Sequence, residues 1–195
     1  PIIEILIDNL ILYGFKKFYV SIHHKADKII RFLGDGSKKN INIEYLYEDK
    51  PLGTAGAINN LPKHLKGDFL MINSDIITNL NFLKLTQTHK KSNYCATVCV
   101  KLFSHNFPYG KIEKDKLGNL KKIIEKPTIK YFINSGIYIF NRRLINKFIQ
   151  DDYFDCDMLL ENLKKGKKKI GLYTMNESWM DIGSKKNLYL ARKTF

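Results

Sequence analysis

The chain has 195 residues, of which 44% are hydrophobic and 27% charged; that balance suits one folded domain and excludes intrinsic disorder. The formal net charge of +14 invites a nucleic-acid reading. The basic residues are mostly lysines in short scattered runs, such as Lys121-Lys122 and Lys167-Lys168-Lys169, so neither nucleic acid nor a membrane span is expected.

Ile3, Leu6, Ile7, Leu10 and Ile11 recur at helical spacing, and Gly14 ends that helix. Phe18 to Ile22 reads as a short buried strand. Asp27 to Leu33 predicts a helix stopped by Gly34-Asp35-Gly36, and Ile41 to Tyr47 a second strand. Gly53 to Leu61 opens on a glycine turn and continues as a helix. Phe69 to Asn73 is a third buried strand, ending at Ser74-Asp75, with a helix following over Phe82 to His89. Cys95 to Val100 then predicts a strand, Gly110 to Ile124 a hairpin, and Phe132 to Phe140 a further strand. Ile145 to Ile149 and Met158 to Leu163 look helical, and Ile170 to Met175 extended. Alternation of strands and helices at this spacing predicts an α/β fold with a mixed, mostly parallel sheet, helices on both faces and a β-hairpin region. No linker or repeat divides residues 1–195, which read as a single domain.

Cys95, Cys99 and Cys156 are odd in number and form no CxxC or Cys/His cluster. A reducing, cytoplasmic compartment is the expectation, and zinc is not. The five histidines form no catalytic constellation. Tyr153-Phe154 and the C-terminal helix are the expected exposed apolar surfaces for a homo-oligomer.

Four places could carry chemistry. Pro51-Leu52-Gly53-Thr54-Ala55-Gly56-Ala57 joins a strand to a helix, and its small residues would let a flat or anionic ligand approach the backbone. It could equally be a tight turn. Asn73-Ser74-Asp75 puts a carboxylate at the end of a buried strand, where open α/β sheets bind ligands and where Mg²⁺ finds oxygen donors. A turn or capping aspartate is the plain alternative. Glu125-Lys126-Pro127 pairs a cation with a carboxylate at a proline, or is a surface charge pair. Trp179-Met180-Asp181-Ile182-Gly183 offers a second carboxylate, or a tryptophan anchor with a capping turn.

In order, PLGTAGA, NSD, FPYGKI, EKP, INSGIYIF and WMDIG resemble the sugar-phosphate nucleotidyltransferases, closest in flavour to the guanylyltransferase-like and heptose- or hexosamine-phosphate branches. The resemblance runs from the first helix past Trp179. It implies a Rossmann-like nucleotidyltransferase fold. The implied reaction joins a nucleoside triphosphate to a sugar 1-phosphate and releases pyrophosphate with the help of Mg²⁺. The resemblance also implies roles. Leu52, Gly53 and Thr54 would meet the nucleobase. Glu48 stands where relatives read the base; a carboxylate accepts two N–H donors, as guanine offers, which tilts the expectation toward GTP. Asp75 and Asp181 would hold the metal, with Asp75 and Lys126 as the catalytic pair. Lys126 would hold the sugar phosphate; Gly110, Glu125 and Asn134 would bind the sugar and Gly136 would leave it room.

Two departures stand out. Ser74 replaces the glycine usual before the metal aspartate. The family pattern also opens with a strand and a G-G-x-G-T-R-L triphosphate loop, so the chain is expected to enter that pattern about 25 residues late. The expectation is a longer protein that carries both. A catalytically inactive nucleotide-sugar sensor is the alternative in another class.

Overall fold

The computed structural model describes residues 2–150 and 152–183, together with Asn187 and Tyr189. Helix α1 (Ile2–Leu12) buries Leu6, Ile7 and Leu10 and ends at Gly14, whose φ of 83° suits a residue without Cβ. Strand β1 (Lys17–Ile22), helix α2 (Ala26–Leu33) and strand β2 (Asn42–Tyr47) follow, with β1 and β2 parallel and in register from Lys17↔Asn42 to Ile22↔Tyr47. A short helix α3 (Gly53–Gly56) runs into a 3₁₀ turn over Ala57–Asn60. This replaces the continuous helix expected over 53–61. Gly56, Asn59 and Asn60 are poor helix formers, and Pro62 stops further turns.

Strand β3 (Asp68–Ile72) is followed by a short strand β4 (Ile76–Thr78) and helix α4 (Phe82–Lys90). Asn81 caps α4 by accepting the Lys84 backbone N–H at 2.9 Å. Beyond it lie strand β5 (Ala96–Asn106), the hairpin β6 (Lys111–Lys114) and β7 (Leu120–Ile124), and the long strand β8 (Thr128–Asn141). Helix α5 (Arg142–Ile145), helix α6 (Cys156–Lys165), strand β9 (Ile170–Met175) and strand β10 (Trp179–Asp181) complete the described chain. The sequence reading missed β4 and β10: each is three residues long, and they exist by pairing with each other, Asp181 opposite Ile76.

The central sheet has the order β3-β8-β5-β9, with β5 and β9 parallel and the other neighbours antiparallel. The mixed α/β fold is therefore as expected, but among the described residues the pairing is not mostly parallel: β1–β2 and β5–β9 are parallel, while β3–β8, β5–β8, β4–β10 and β6–β7 are antiparallel. Helices cover both faces. Tyr138 and Phe140 point into a core shared with α3 and α6, and Ile137 and Ile139 into a core shared with α1 and α4. That alternation is the period of two of a strand buried on both sides. Past a register shift between Val98 and Val100, β5 and β8 leave the core as a long exposed ribbon. His89 is a core histidine, its Nδ1 2.7 Å from Thr97 Oγ1.

Phe154 is fully buried beneath α3 and α6 beside Ala55 and Leu159. This corrects the expectation of an exposed Tyr153-Phe154 pair: Tyr153 is exposed, but Phe154 fills the core. The expected C-terminal helix falls largely outside the described residues. All three cysteines are buried and free, and burial pushes the Cys99 and Cys156 thiols up to about 12. Among the described residues no helix is long and apolar enough to cross a membrane.

One feature of the packing frames the site. Among the described residues β1 pairs only with β2, and β3 only with β8. Between them opens a cavity of about 920 Å³, with Phe18–Val20 on one side, Phe69–Ile72 on the other and α1 along it. These apolar strand residues are half-buried, unlike Ile137–Phe140 in the covered part of the sheet.

Candidate active site

The loop after β2 is held by its own side chains. Glu48 accepts the Ser21 hydroxyl on one carboxylate oxygen and the Leu52 backbone N–H on the other at 3.0 Å. Its backbone is tied too, its N–H reaching the Ile22 carbonyl at 3.0 Å and its carbonyl lying 2.8 Å from His23 Nδ1. Both carboxylate oxygens thus already face donors of the protein, and Glu48 shapes the Leu52 turn directly.

Gly53 takes a φ of 78°, and a Cβ there would stand 2.8 Å from the Phe154 carbonyl oxygen and 2.9 Å from Asp155 Oδ1. Backbone crowding together with positive φ explains the glycine. Thr54 donates its N–H to Asp155 Oδ1 at 2.8 Å and its hydroxyl to the same oxygen at 3.0 Å. The sequence reading missed Asp155, because nothing in a lone Asp155-Cys156 near a helix start signals a partner 101 residues away.

Three distant motifs meet where β3 ends, β4 begins and β8 passes through its middle. Asn73 donates its backbone N–H to the Gly136 carbonyl at 3.0 Å, and Trp179 Nε1 donates to the Ser135 carbonyl at 2.8 Å. Ile182 donates its N–H to the Asp75 carbonyl at 2.9 Å. A Cβ on Gly183 would lie 3.0 Å from Asp75 Oδ2 and 3.2 Å from Asp181 Oδ1, so two carboxylates flank one glycine. Burial raises the Asp75 carboxyl, and the Asp181 charge raises it further. Asp181 Oδ1 accepts the Gly183 N–H at 2.8 Å.

This donor set fits a hard divalent cation. Two carboxylates face each other with mutual repulsion, and a cation would relieve it. Among the described residues no group of three or more His, Cys, Asp or Glu gathers. Two carboxylates can serve a hard divalent cation only where water and phosphate supply its other ligands.

The sugar-side residues form two groups. Asn134 donates from Nδ2 to the Tyr138 hydroxyl at 2.7 Å and accepts the Gly136 N–H at 3.1 Å. Gly136, at φ 70°, faces the Asn73 side chain; a Cβ would stand 2.8 Å from Asn73 Nδ2. The Asn73 side chain thus lies against Gly136, on the side where a Cβ would stand. Asn73 is a further site residue that its own motif contained. The second group lies at the far end of the ribbon. Gly110 faces Glu125, a Cβ there being 3.0 Å from Glu125 Oε2. Lys126 adopts a φ of 43° immediately before Pro127. A residue before proline is normally extended, so this backbone is strained, as functional positions often are. Among the described residues no hydrogen bond or ion pair joins Glu125 or Lys126 to Asn134, Asp75 or Asp181.

The cavity between β1 and β3 links the remaining pieces, since Glu48, Gly53, Thr54, Asn73 and Asp75 all line it. The turn after β2 and the carboxylate after β3 therefore open on one space, at the C-terminal ends of strands from two facing sheets, the kind of position where α/β folds place ligands.

Comparison with known proteins bears on the family and the fold. A family model described as nucleotidyl transferase matches residues 1–195. The chain is 28% identical over 196 residues to a mannose-1-phosphate guanyltransferase of Yarrowia lipolytica, covering 96% of this chain and 53% of that protein. It is 29% identical over 192 residues to the bifunctional protein GlmU of Lactobacillus johnsonii, covering 86% and 41%. The chain thus spans about half the length, or less, of these relatives. Among solved structures, HddC of Yersinia pseudotuberculosis complexed with GMP-PN superposes with a TM-score of 0.75 at 26% identity, covering 100% of this chain and 85% of that one. A putative glucose-1-phosphate thymidylyltransferase of Bacillus anthracis shares the fold, with a TM-score of 0.75 at 19% identity and 82% of that chain covered. A full-length family match, six ordered motifs and the meeting of three of them around Asp75 lead to one conclusion: the chain belongs to the sugar-phosphate nucleotidyltransferase family.

Proposed function

We propose that this chain is the substrate-handling part of an enzyme that joins GTP to a sugar 1-phosphate, giving a nucleotide sugar and pyrophosphate. The observation that carries the reading is the convergence of Asp75 and Asp181 on Gly183, with Asp75 sharing one cavity with Gly53 and Thr54. The guanyltransferase relatives and the neighbour complexed with GMP-PN support guanine as the base. Free buried cysteines support a cytoplasmic location.

In this reading the Leu52–Thr54 backbone packs on the base. Glu48 sets that turn, and the lone pairs its oxygens keep beyond the Ser21 and Leu52 donors take the base N–H groups. Asp75 and Asp181 hold Mg²⁺, which when bound neutralises phosphate charge. Lys126 grips the sugar-linked phosphate, Glu125 and the Gly110 backbone take sugar hydroxyls, and Asn134 orients the sugar from a side chain fixed by Tyr138. The sugar phosphate oxygen attacks the α-phosphorus in line, and pyrophosphate leaves. Closure of the ribbon carrying Lys126 toward Asp75 would complete the site.

The cavity between β1 and β3 supports a further part of the reading: an extended strand seats there and presents a glycine-rich triphosphate loop beside Asp75. Two strands with open hydrogen-bonding edges and half-buried apolar faces are what such a strand requires.

The test is pyrophosphate release by the complete protein with Mg²⁺, each common nucleoside triphosphate and a set of sugar 1-phosphates. Release with GTP is expected. No release with any pair, with nucleotide-sugar binding retained, would replace the enzyme with an inactive sensor. Two variants probe single roles. Lys126→Ala is expected to raise KM for the sugar phosphate about tenfold, a charged hydrogen bond's worth, and leave that for GTP unchanged. An equal rise in both would contradict the assignment. Glu48→Gln is expected to weaken the preference for GTP, and an unchanged preference among nucleotides would remove Glu48 from base reading.

A further inference from the structure

Helix α6 starts at Asp155, the position where an aspartate ordinarily accepts N–H groups of its own first turn. Asp155 makes no such bond. Its Oδ1 instead accepts the Thr54 N–H at 2.8 Å and the Thr54 hydroxyl at 3.0 Å, and its Oδ2 accepts the Tyr153 hydroxyl at 2.7 Å. Thr54 returns the favour to the other helix: its Oγ1 accepts the Cys156 N–H at 2.9 Å. The exchange caps α3 with Asp155 and α6 with Thr54. Two backbone bonds close the same seam, Phe154 N–H to the Leu52 carbonyl at 2.8 Å and Ala55 N–H to the Phe154 carbonyl at 2.9 Å.

We infer that Asp155 is a positioning residue for the nucleotide turn, acting through Thr54 rather than touching the nucleotide. The inference rests on the reading of Leu52–Thr54 as the nucleotide-binding turn. Gly53 carries positive φ and lies between two fixed points, Leu52 held by Glu48 on one side and Thr54 held by Asp155 on the other. A glycine turn is otherwise free to sample many conformations, and its ordering would be charged against nucleotide binding. The carboxylate charge makes the Thr54 bond a strong one. Those same bonds, first that of the Thr54 backbone, hold the Asp155 carboxyl below the usual carboxylate range, so it stays ionised at neutral pH. The prediction is specific in direction. Loss of Asp155 loosens the turn in the free protein and weakens nucleotide affinity equally in ground and transition states, which raises KM for nucleotide without lowering kcat.

The experiment compares Asp155→Ala, Asp155→Asn and the parent in the complete protein, by steady-state kinetics in both substrates and by direct GTP binding. Asp155→Ala is expected to raise KM and Kd for GTP about tenfold, with kcat and the KM for sugar phosphate within twofold of the parent. Asn keeps an oxygen acceptor for Thr54, so Asp155→Asn should recover most of the loss. A lowered Tm in Asp155→Ala with both KM values unchanged would make Asp155 a stabilising residue only and overturn the inference. A parallel rise in both KM values would overturn it as well. Should the parent neither turn over nor bind GTP, the functional reading itself falls and this inference with it; an active parent with an indifferent Asp155→Ala variant sinks the inference alone.

Discussion

Asparagine at either Asp75 or Asp181 is expected to lower turnover of the complete protein by on the order of 10²- to 10⁴-fold, while leaving the fold intact or slightly firmer. The two effects have opposite signs for one reason. The carboxylates flank Gly183, with Oδ2 of Asp75 and Oδ1 of Asp181 at 3.0 and 3.2 Å from where a Cβ would stand; burial raises the Asp75 carboxyl and the Asp181 charge raises it further. In the absence of cation that repulsion destabilises the folded chain, so removing one charge relieves it. In the proposed reaction the same pair would hold Mg²⁺, whose charge stabilisation of the phosphates is worth several kcal/mol, and each 1.36 kcal/mol is a factor of ten in rate. Turnover measured against Mg²⁺ concentration, with thermal melts in chelator, tests both halves. Full activity in either variant would remove that aspartate from the metal site. A melt lowered by many degrees would mean that the pair holds the β4–β10 junction, not a cation.

Phe154→Ala is expected to cost about 3–5 kcal/mol of stability, the usual result of deleting a fully buried phenylalanine. For a chain of this size that lowers Tm by on the order of 10 °C. The ring is wholly inaccessible and packs within the core that holds Ala55, Leu159 and Leu163. Its backbone also binds Leu52 and Ala55, so the cavity forms directly under the nucleotide turn. Guanidinium denaturation checks the magnitude. A change below 1 kcal/mol would return Phe154 to the surface position that its polar neighbours Asp152 and Asp155 suggest in sequence. Tyr153→Ala, at an exposed ring, is the control and should change stability little.

The contrast between Tyr153 and Phe154 illustrates what was legible. Strands such as Ile137–Phe140 and Phe69–Ile72 are continuous apolar runs and could be read directly. So could α1, from its helical spacing and Gly14. Segment 153–155 has no periodicity, and its burial depends on α3 arriving from a hundred residues earlier. The short strands β4 and β10 were illegible for a related reason: three residues carry no pattern, and each is a strand only because the other lies beside it. The parallel count failed similarly, because strand direction follows from how connections cross the sheet rather than from any one strand.

The same division runs through the site. Gly53, Asp75 and Asp181 stood out as residue types suited to backbone approach and metal, because carboxylates and glycines advertise their chemistry locally, whereas Glu48 stood out only through the family resemblance. The sequence also carried the order of six motifs, and with it the family. Only tertiary structure decided that Asp75 and Asp181 share Gly183, that Asn73 lies against Gly136, and that Asp155 holds Thr54. Residue chemistry and local periodicity are properties of a few consecutive positions. A shared site is a property of distances between segments, and those are set by the packing of the whole sheet and its helices.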